Sequence, residues 1–431
     1  MADYDSGQRE HALPGPDDTV VRTLPNGLTI LARENFTSPA VVVAGLLQAG
    51  SQDETAAQAG LASMAASMLM RGTEQRSFDE INEEIEGIGA SLSVAGGTHT
   101  TRFSFKGLSE DFSTLLDVLA DVLRRPTFPP DHLERVRAQR LTGLRERDNN
   151  TRSVAERLFH EMAYPEGHPY RTPVDGLIET VEAMTREDLV AFYERNYEPR
   201  GAIVVIVGAI PAEEAIAQVE QAFGDWAALE GRSRPEMPPV SPPAEAVRQF
   251  RPVPGKTQSD VVIGVPAVPR THPDYLPAYL ANTVLGVFGL MGRLGESVRD
   301  EQGLAYYAHS TLDASVGPGA WSASAGVSPD KVDQAVTTIL QEFSRLGQEP
   351  VPDEELADSK SFLTGSLPLR LETNEGVARA LLDIVFYDLG LDYLARYSDL
   401  INAIPPSEIQ RVAATYLDPE SYVLAVAGPP Q

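Results

Sequence analysis

Residues 49–73 read AGSQDETAAQAGLASMAASMLMRGT. From about residue 56 to 70 the stretch is rich in Ala, Met and Leu, which favour helix, and Gly72 stands where a helix stops. Ser63 and Ser67 are four residues apart, so they share one helical face, with Ala66 beside them. On composition alone this is a small-residue face of the kind that lets a neighbouring helix approach closely.

The flanking sequence places this helix in a layered domain. VVRTLPNGLTILARE (20–34) alternates apolar and polar residues on both sides of Pro25-Asn26-Gly27, the pattern of a tight hairpin. AVVVAGLLQAG (40–50) continues as a buried strand. SFDEINEEIEGIGA (77–90) carries Phe78, Ile81, Ile85 and Ile88 at helical spacing, with Gly89 beyond. Residues 91–108 alternate like two strands. An amphipathic helix pattern follows over Asp111–Arg124 and, after Pro126, Pro129 and Pro130, a long charged helix pattern over Asp131–Arg147. Residues 184–211 read as a helix, a proline turn and a buried strand.

Between Pro235 and Pro254 lie seven prolines, the composition of a semi-rigid connector. Beyond it the pattern repeats. AIPPSEIQRVAATYLDPESYVLAVAGPP (403–430) echoes 184–211, with Pro199 matching Pro419 and Gly208 matching Gly428. Residues 329–356 echo 109–133. A repeat this long means two copies of one domain, not a solenoid. The expected fold is α+β, with two homologous domains, each a mainly antiparallel sheet packed with helices. The expected boundaries are a disordered N-terminus (1–17), a first domain (18–230), a Pro-rich linker (231–255) and a second domain (256–431).

Composition excludes several function classes. The chain has 431 residues, and its 62 acidic and 35 basic side chains give a net charge of −27. Such a balance argues against nucleic acid and against anionic membranes as partners. It fits either plain solubility or an acidic cavity that attracts basic peptides. There is no cysteine, hence no disulfide, thiolate metal ligand or cysteine nucleophile. The start, MADYDSGQREHALPGPDD, lacks the apolar core of a secretory signal, and no apolar run reaches membrane-spanning length, so a cytoplasmic location is expected.

On Gly50, Asp53, Gly60-Leu61-Ala62, Met68 and Gly72-Thr73, residues 49–73 resemble the zinc-site segment of the pitrilysin/insulinase family of metallopeptidases. The resemblance extends over almost the whole chain, duplication included, and implies a clamshell-forming metallopeptidase-like fold. Active members carry His-x-x-Glu-His: two imidazoles one turn apart bind zinc, and the glutamate activates its water. At those positions stand Ser63, Ala66 and Ser67, and the family's distant glutamate ligand aligns with Gly143. Glu146 is the nearest carboxylate. No two of the seven histidines are four apart; His160-Glu161 begins a zinc motif, but Tyr164 stands in its last place, which leaves His160 an ordinary helix histidine.

Residues 286–310, GVFGLMGRLGESVRDEQGLAYYAHS, resemble the family's second half. Gly292-Arg293-Leu294 stands where the family often has Ser-Arg-Leu. The glycines at 286, 289 and 292 lack the Gly-Lys-Ser/Thr of a phosphate loop. RDEQGLAY (299–306) matches the segment carrying the family's arginine–tyrosine pair, here Arg299 and Tyr306, with Tyr307 next in register. In the family this pair holds substrate beside the zinc of the opposing half. A guanidinium fork suits peptide carbonyls, and a phenol can donate to a carbonyl gaining charge.

The resemblance therefore implies a non-catalytic subunit of a heterodimeric zinc metalloendopeptidase, similar to the inactive partner in bacterial processing peptidases and to the mitochondrial processing peptidase alpha subunit. Its substrate would be a peptide or unfolded segment. No cofactor is expected in this chain; zinc is expected in a homologous partner subunit. The alternative is a peptide-binding or structural homodimer without activity. A hydrolase using Ser63 or Ser67 as nucleophile lacks both a neighbouring histidine and a Gly-x-Ser-x-Gly turn.

Overall fold

A computed structural model describes residues 13–286 and 292–430. Most of the N-terminal stretch expected to be disordered, and Gly289 of the glycine series, lie outside the described residues. Where description begins, Pro14 is already buried and the Gly15 N–H donates to Asp18 Oδ1 at 2.9 Å, so order starts before residue 18.

The first half contains β1 (Val20–Thr23), β2 (Thr29–Glu34), β3 (Ala40–Leu47), α1 (Leu61–Leu69), α2 (Phe78–Gly87), β4 (Ser91–Gly96) and β5 (Thr101–Leu108). It continues through α3 (Phe112–Arg124), α4 (Pro130–Asp148), α5 (Thr151–Ala163), α6 (Ile178–Ala183), α7 (Arg186–Asn196), β6 (Ile203–Gly208) and α8 (Ala212–Phe223). The sheet order is β1-β2-β6-β3-β5-β4, and only β2 and β6 pair in parallel.

The second half contains β7 (Val247–Pro252), β8 (Ser259–Pro266), α9 (Tyr275–Gly286), a π-helical turn (Gly295–Glu301), β9 (Ala305–Leu312) and β10 (Ala320–Val327). It ends with α10 (Val332–Gln348), α11 (Asp353–Arg370), α12 (Asn374–Phe386), α13 (Tyr393–Asn402), α14 (Pro406–Tyr416) and β11 (Val423–Gly428). Its order is β7-β11-β8-β10-β9, again with one parallel pair, β7 and β11. The α+β class and the duplication are thus seen directly.

Two local expectations change. The helix expected from residue 56 begins at Leu61, because Gly60 takes a left-handed conformation (φ 94°) and residues 56–58 form only a 3-10 turn. The Glu54 carboxylate then caps α1, accepting the N–H groups of Gly60 and Ala62 at 2.9 and 2.8 Å. The linker is also shorter than its prolines suggest. Residues 247–252 form edge strand β7, which Pro252 ends.

Each sheet has two apolar faces, and one face of each is covered by the other half's chain. From α5, Val154, Ala155, Leu158 and Phe159 pack with Val262, Val423, Ala425 and Ala427 of the second sheet. From α12, Val377, Ala378, Leu381 and Leu382 pack with Leu31, Val42, Leu46, Ile203, Val205 and Val207 of the first. Each larger side chain so buried contributes about 1.5–3 kcal/mol. Arg102–Asp383 (3.0 Å) and Arg251–Glu161 (2.8 Å) ion pairs flank these contacts.

A buried hydrogen-bond chain ties both halves to the linker. The Gly317 N–H donates to Tyr170 Oη at 2.9 Å, and Tyr170 Oη contacts His99 Nε2 at 2.7 Å. His99 Nδ1 contacts Gln52 Oε1 at 2.7 Å, and the Gln52 amide donates to the Pro235 carbonyl. Because the Gln52 amide nitrogen is committed to Pro235, its oxygen must accept from His99 Nδ1–H. His99 is then neutral and accepts the Tyr170 proton at Nε2. Burial, reinforced by the Arg234 guanidinium, holds the His99 pKa at about 4; burial also lowers His160 and His168.

Two outcomes follow. Residues 18–230 and 256–431 expressed separately should be insoluble or molten, each exposing an apolar sheet face, and should recover solubility when co-expressed; separate halves that each give well-dispersed amide NMR spectra would contradict the exchange. His99 binds a proton more readily unfolded (near 6.5) than folded (about 4). Stability is therefore fully present above pH 6.5 and should fall by on the order of 2–3 kcal/mol as the pH drops toward 4. Urea titrations across that range check this, and His99→Gln should flatten the slope.

Candidate functional site

The α1 face reaches its present form through backbone contact between two loops. A Cβ on Gly60 would stand 2.9 Å from both Asp175 O and Gly176 Cα, and Gly176 itself has φ 82°. Only glycines allow this approach, which brings Asp175 over the start of α1. From the other side α4 supplies Arg140.

Arg140 lies across Ser63 and Ser67, where the sequence resemblance expects the family's zinc ligands. Its Nη1 donates to Ser63 Oγ at 3.0 Å and its Nη2 to Ser67 Oγ at 3.2 Å. Nη1 also forms a close ion pair with the Asp175 carboxylate. The Ser63 hydroxyl faces Asp175 Oδ1 at 3.4 Å, and Ser67 Oγ donates to the Ser63 carbonyl at 2.8 Å. Ala66 is fully buried. Gly143 is one turn beyond Arg140 on α4, and a Cβ there would meet nothing within 4 Å. Glu146 is exposed. Composition of the 131–147 helix signalled charge but not which residue would turn inward; asking which cation shares a face with Gly143 would have found Arg140, three residues away.

Zinc needs imidazole, thiolate or carboxylate donors. This face offers two hydroxyls, a methyl group, a guanidinium and one carboxylate, Asp175, already paired with that guanidinium, so it does not fit the metal. Among the described residues, no three His, Asp or Glu side chains cluster in a way that could hold one. Nor is a serine nucleophile assembled: both hydroxyls are bonded to Arg140, and neither meets a histidine.

The second-half residues sit apart from this face. Arg293 is buried and forms a two-point ion pair with Glu355 of α11 at 2.9 and 2.8 Å, which fixes the entry to the π-helical turn. Arg299, half-buried within that turn, makes no side-chain hydrogen bond or ion pair to any described residue. Tyr306 is 85% exposed. In the β9–β10 ladder Ala305 pairs with Val327 and Tyr307 with Gly326, so Tyr306 is the extra residue of a bulge. A bulge re-aims its side chain, a device common beside binding sites. The neighbour Tyr307 points inward, donating to Asp260 at 2.5 Å beneath the Arg152 guanidinium, and burial pushes its pKa up. That gives Tyr307 a packing role and leaves Tyr306 exposed. No hydrogen bond or ion pair links Arg299 or Tyr306 to the α1 face.

A repair experiment separates loss of ligands from occupation by Arg140. Ser63→His, Ala66→Glu, Ser67→His and Gly143→Glu together should retain little zinc after dialysis, because a guanidinium repels the dication. Adding Arg140→Gln should raise zinc affinity at least about tenfold by removing that charge. Equal affinity with and without Arg140 would refute its place in the site.

Comparison with known proteins bears on the family and the fold. Residues 29–173 match the family model described as insulinase (peptidase family M16), and residues 183–363 match that described as the peptidase M16 inactive domain. An uncharacterized zinc protease of Mycobacterium leprae is 27% identical over 357 residues, covering 81% of this chain and 78% of its own. The mitochondrial-processing peptidase subunit beta of Blastocladiella emersonii is 25% identical over 451 residues, covering 100% and 92%. A solved peptidase M16 inactive domain from Pseudomonas fluorescens shares the fold with a TM-score of 0.87 at 23% identity, covering 96% of this chain and 98% of its own. A protease from Helicobacter pylori gives 0.88 at 20%, covering 97% and 100%. With each half matched by a model of the same family, and with relatives spanning the whole chain, this protein belongs to the insulinase (M16) peptidase family.

Proposed function

We propose that the chain is the non-catalytic, substrate-binding subunit of a heterodimeric zinc metalloendopeptidase acting on peptides or unfolded segments. The observation that carries this reading is Arg140. A zinc site that had merely lost its ligands would leave a polar gap; here a guanidinium spans Ser63 and Ser67 and pairs with Asp175. A guanidinium polarises no water and accepts no proton at neutral pH. The first half is therefore committed to a role without hydrolysis.

The second half retains groups suited to act on substrate held elsewhere. Tyr306 projects from a bulge, and Arg299 has no described partner. Strand β9 is the last of its sheet, so its outer backbone groups can pair with an extended peptide beside Tyr306. In the assembled pair, Arg299 would grip peptide carbonyls and Tyr306 would donate to the scissile carbonyl at the zinc site of the partner. Zinc belongs, on this reading, to a homologous subunit with an intact His-x-x-Glu-His motif. The relatives named as zinc proteases and as a processing-peptidase subunit support a peptidase assembly in general.

The test uses the purified chain with and without such a partner from the same organism. Peptidase activity should appear only in the pair. Arg299→Ala and Tyr306→Phe should each lower kcat/KM by on the order of 10²-fold, as loss of a donor to a developing oxyanion does, without changing assembly. Unchanged activity in both variants would overturn the proposal. So would a stable homodimer that ignores every zinc-bearing relative, or chelator-sensitive cleavage by this chain alone.

A further inference from the structure

Two cavities lie beside the exchanged helices, and the duplication relates them. The first, about 410 Å³, is lined in part by Arg147, Ser153, Glu156 and His160. The second, about 440 Å³, is lined in part by Arg370, Gly376, Arg379 and Asp383. Each residue of the second is 223 positions beyond its counterpart in the first, so these are one place in two copies of the domain. Their chemistry has diverged. The first holds the neutral His160 and the Tyr164 ring stacked on it. The second, formed by α9, α11, α12 and α13, holds three arginines and a set of tyrosines.

We propose that this second cavity binds an organic anion with an aromatic or apolar body. The carboxylate or phosphate head would lie among Arg270, Arg370 and Arg379, and the body against Tyr275, Tyr279 and Leu276.

Charge is the first support. The chain has 62 acidic side chains against 35 basic ones, yet none of these three arginines forms an ion pair with a described residue. The two carboxylates at the cavity are committed elsewhere: Glu375 to Lys106 at 2.5 Å and Asp383 to Arg102 at 3.0 Å. Three cationic groups on one cavity repel one another unless an anion joins them. In a protein this acidic, carboxylate partners were abundant, and the cavity has none to spare.

Pre-organisation is the second support. The Arg270 guanidinium lies 4.0 Å from the Tyr275 ring centroid and donates to Tyr393 Oη at 3.0 Å, so its plane is fixed. Tyr275 and Tyr279 stack at 5.7 Å and 12°, a flat wall. The third support is an unmet polar group. Tyr397 lines the cavity and is 5% exposed; the Arg370 guanidinium lies near its buried hydroxyl as a donor, and no acceptor for the hydroxyl proton stands at hydrogen-bond geometry. A buried donor without an acceptor is costly, and an anion oxygen would satisfy it. The volume lies within the range of small-molecule sites, roughly 300–1,000 Å³.

Calorimetric titration of the full chain decides the matter. Phenyl phosphate and 3-phenylpropanoate test the two head groups. Inorganic phosphate tests the head alone, and 3-phenylpropanol tests the body alone. At least one aromatic anion should bind saturably at one site per chain, at least about tenfold tighter than inorganic phosphate and than the alcohol. Arg379→Gln, on an exposed side chain, and Arg370→Gln should each weaken it about tenfold, as loss of a charge-assisted hydrogen bond does, with unfolding curves unchanged. Glu156→Gln, at the counterpart of Arg379 in the first cavity, should leave binding as it was. Absence of saturable binding by both aromatic anions, an alcohol binding as tightly as the anions, or unchanged affinity in the Arg370→Gln/Arg379→Gln double variant would overturn the proposal. None of these results depends on whether the chain joins a peptidase.

Discussion

The exchange of α5 and α12 is the constraint on which the rest of this structure depends. A half taken alone would leave one sheet face of Val, Leu and Ile open to water. Because α5 covers the second sheet and α12 the first, neither half reaches its final packing until both have formed. The exchange also creates the places where function can sit. Each swapped helix meets loops it did not arise beside, and a cavity opens at each junction. The Gly317–Tyr170–His99–Gln52–Pro235 chain closes one of these junctions and fastens the proline-rich connector across it.

Within this frame the α1 face is organised around Arg140. Imidazoles and a carboxylate gather around a dication; here hydroxyls and a carboxylate gather around a guanidinium. A guanidinium shares the positive charge of such an ion but not its Lewis acidity. This arrangement needs partners from three places in the chain. Arg140 comes from α4, Asp175 from a loop held close by Gly60 and Gly176, and the serines from α1. Arg293 shows the same economy in the second half, where burial and Glu355 make it a clamp rather than a ligand-facing residue.

Charge is distributed in a way that net composition hides. Asp121, Glu198, Asp260 and Glu342 are buried, and most of the acidic excess lies on accessible surface. The second cavity runs against the overall sign and displays arginines. The acidity of the chain thus does not translate into acidity of its cavities. Duplicated positions with different side chains, such as Glu156 and Arg379, show how one architecture has acquired two electrostatic characters.

Local sequence determined most of the elements. The Asn-Gly hairpin, the helix of residues 78–87, the buried strands near 40–47, 203–208 and 423–428, and the duplication all follow from periodicity and turn chemistry in the sequence. That residues 63–67 carry no His-x-x-Glu-His was legible for the same reason: the motif is local. Other features were decided by contacts between distant segments. The start of α1 moved to Leu61 because Gly60 must meet Gly176, and β7 emerged from the proline-rich stretch because β11 offers it a parallel edge. Arg140 became the centre of the α1 face, and Tyr306 rather than Tyr307 became the exposed tyrosine through a bulge opposite Gly326 and Val327. A helical pattern says which side of a helix is apolar, but the partner that a guanidinium or phenol finds there is set by backbone brought from tens of residues away, and only the folded chain supplies it.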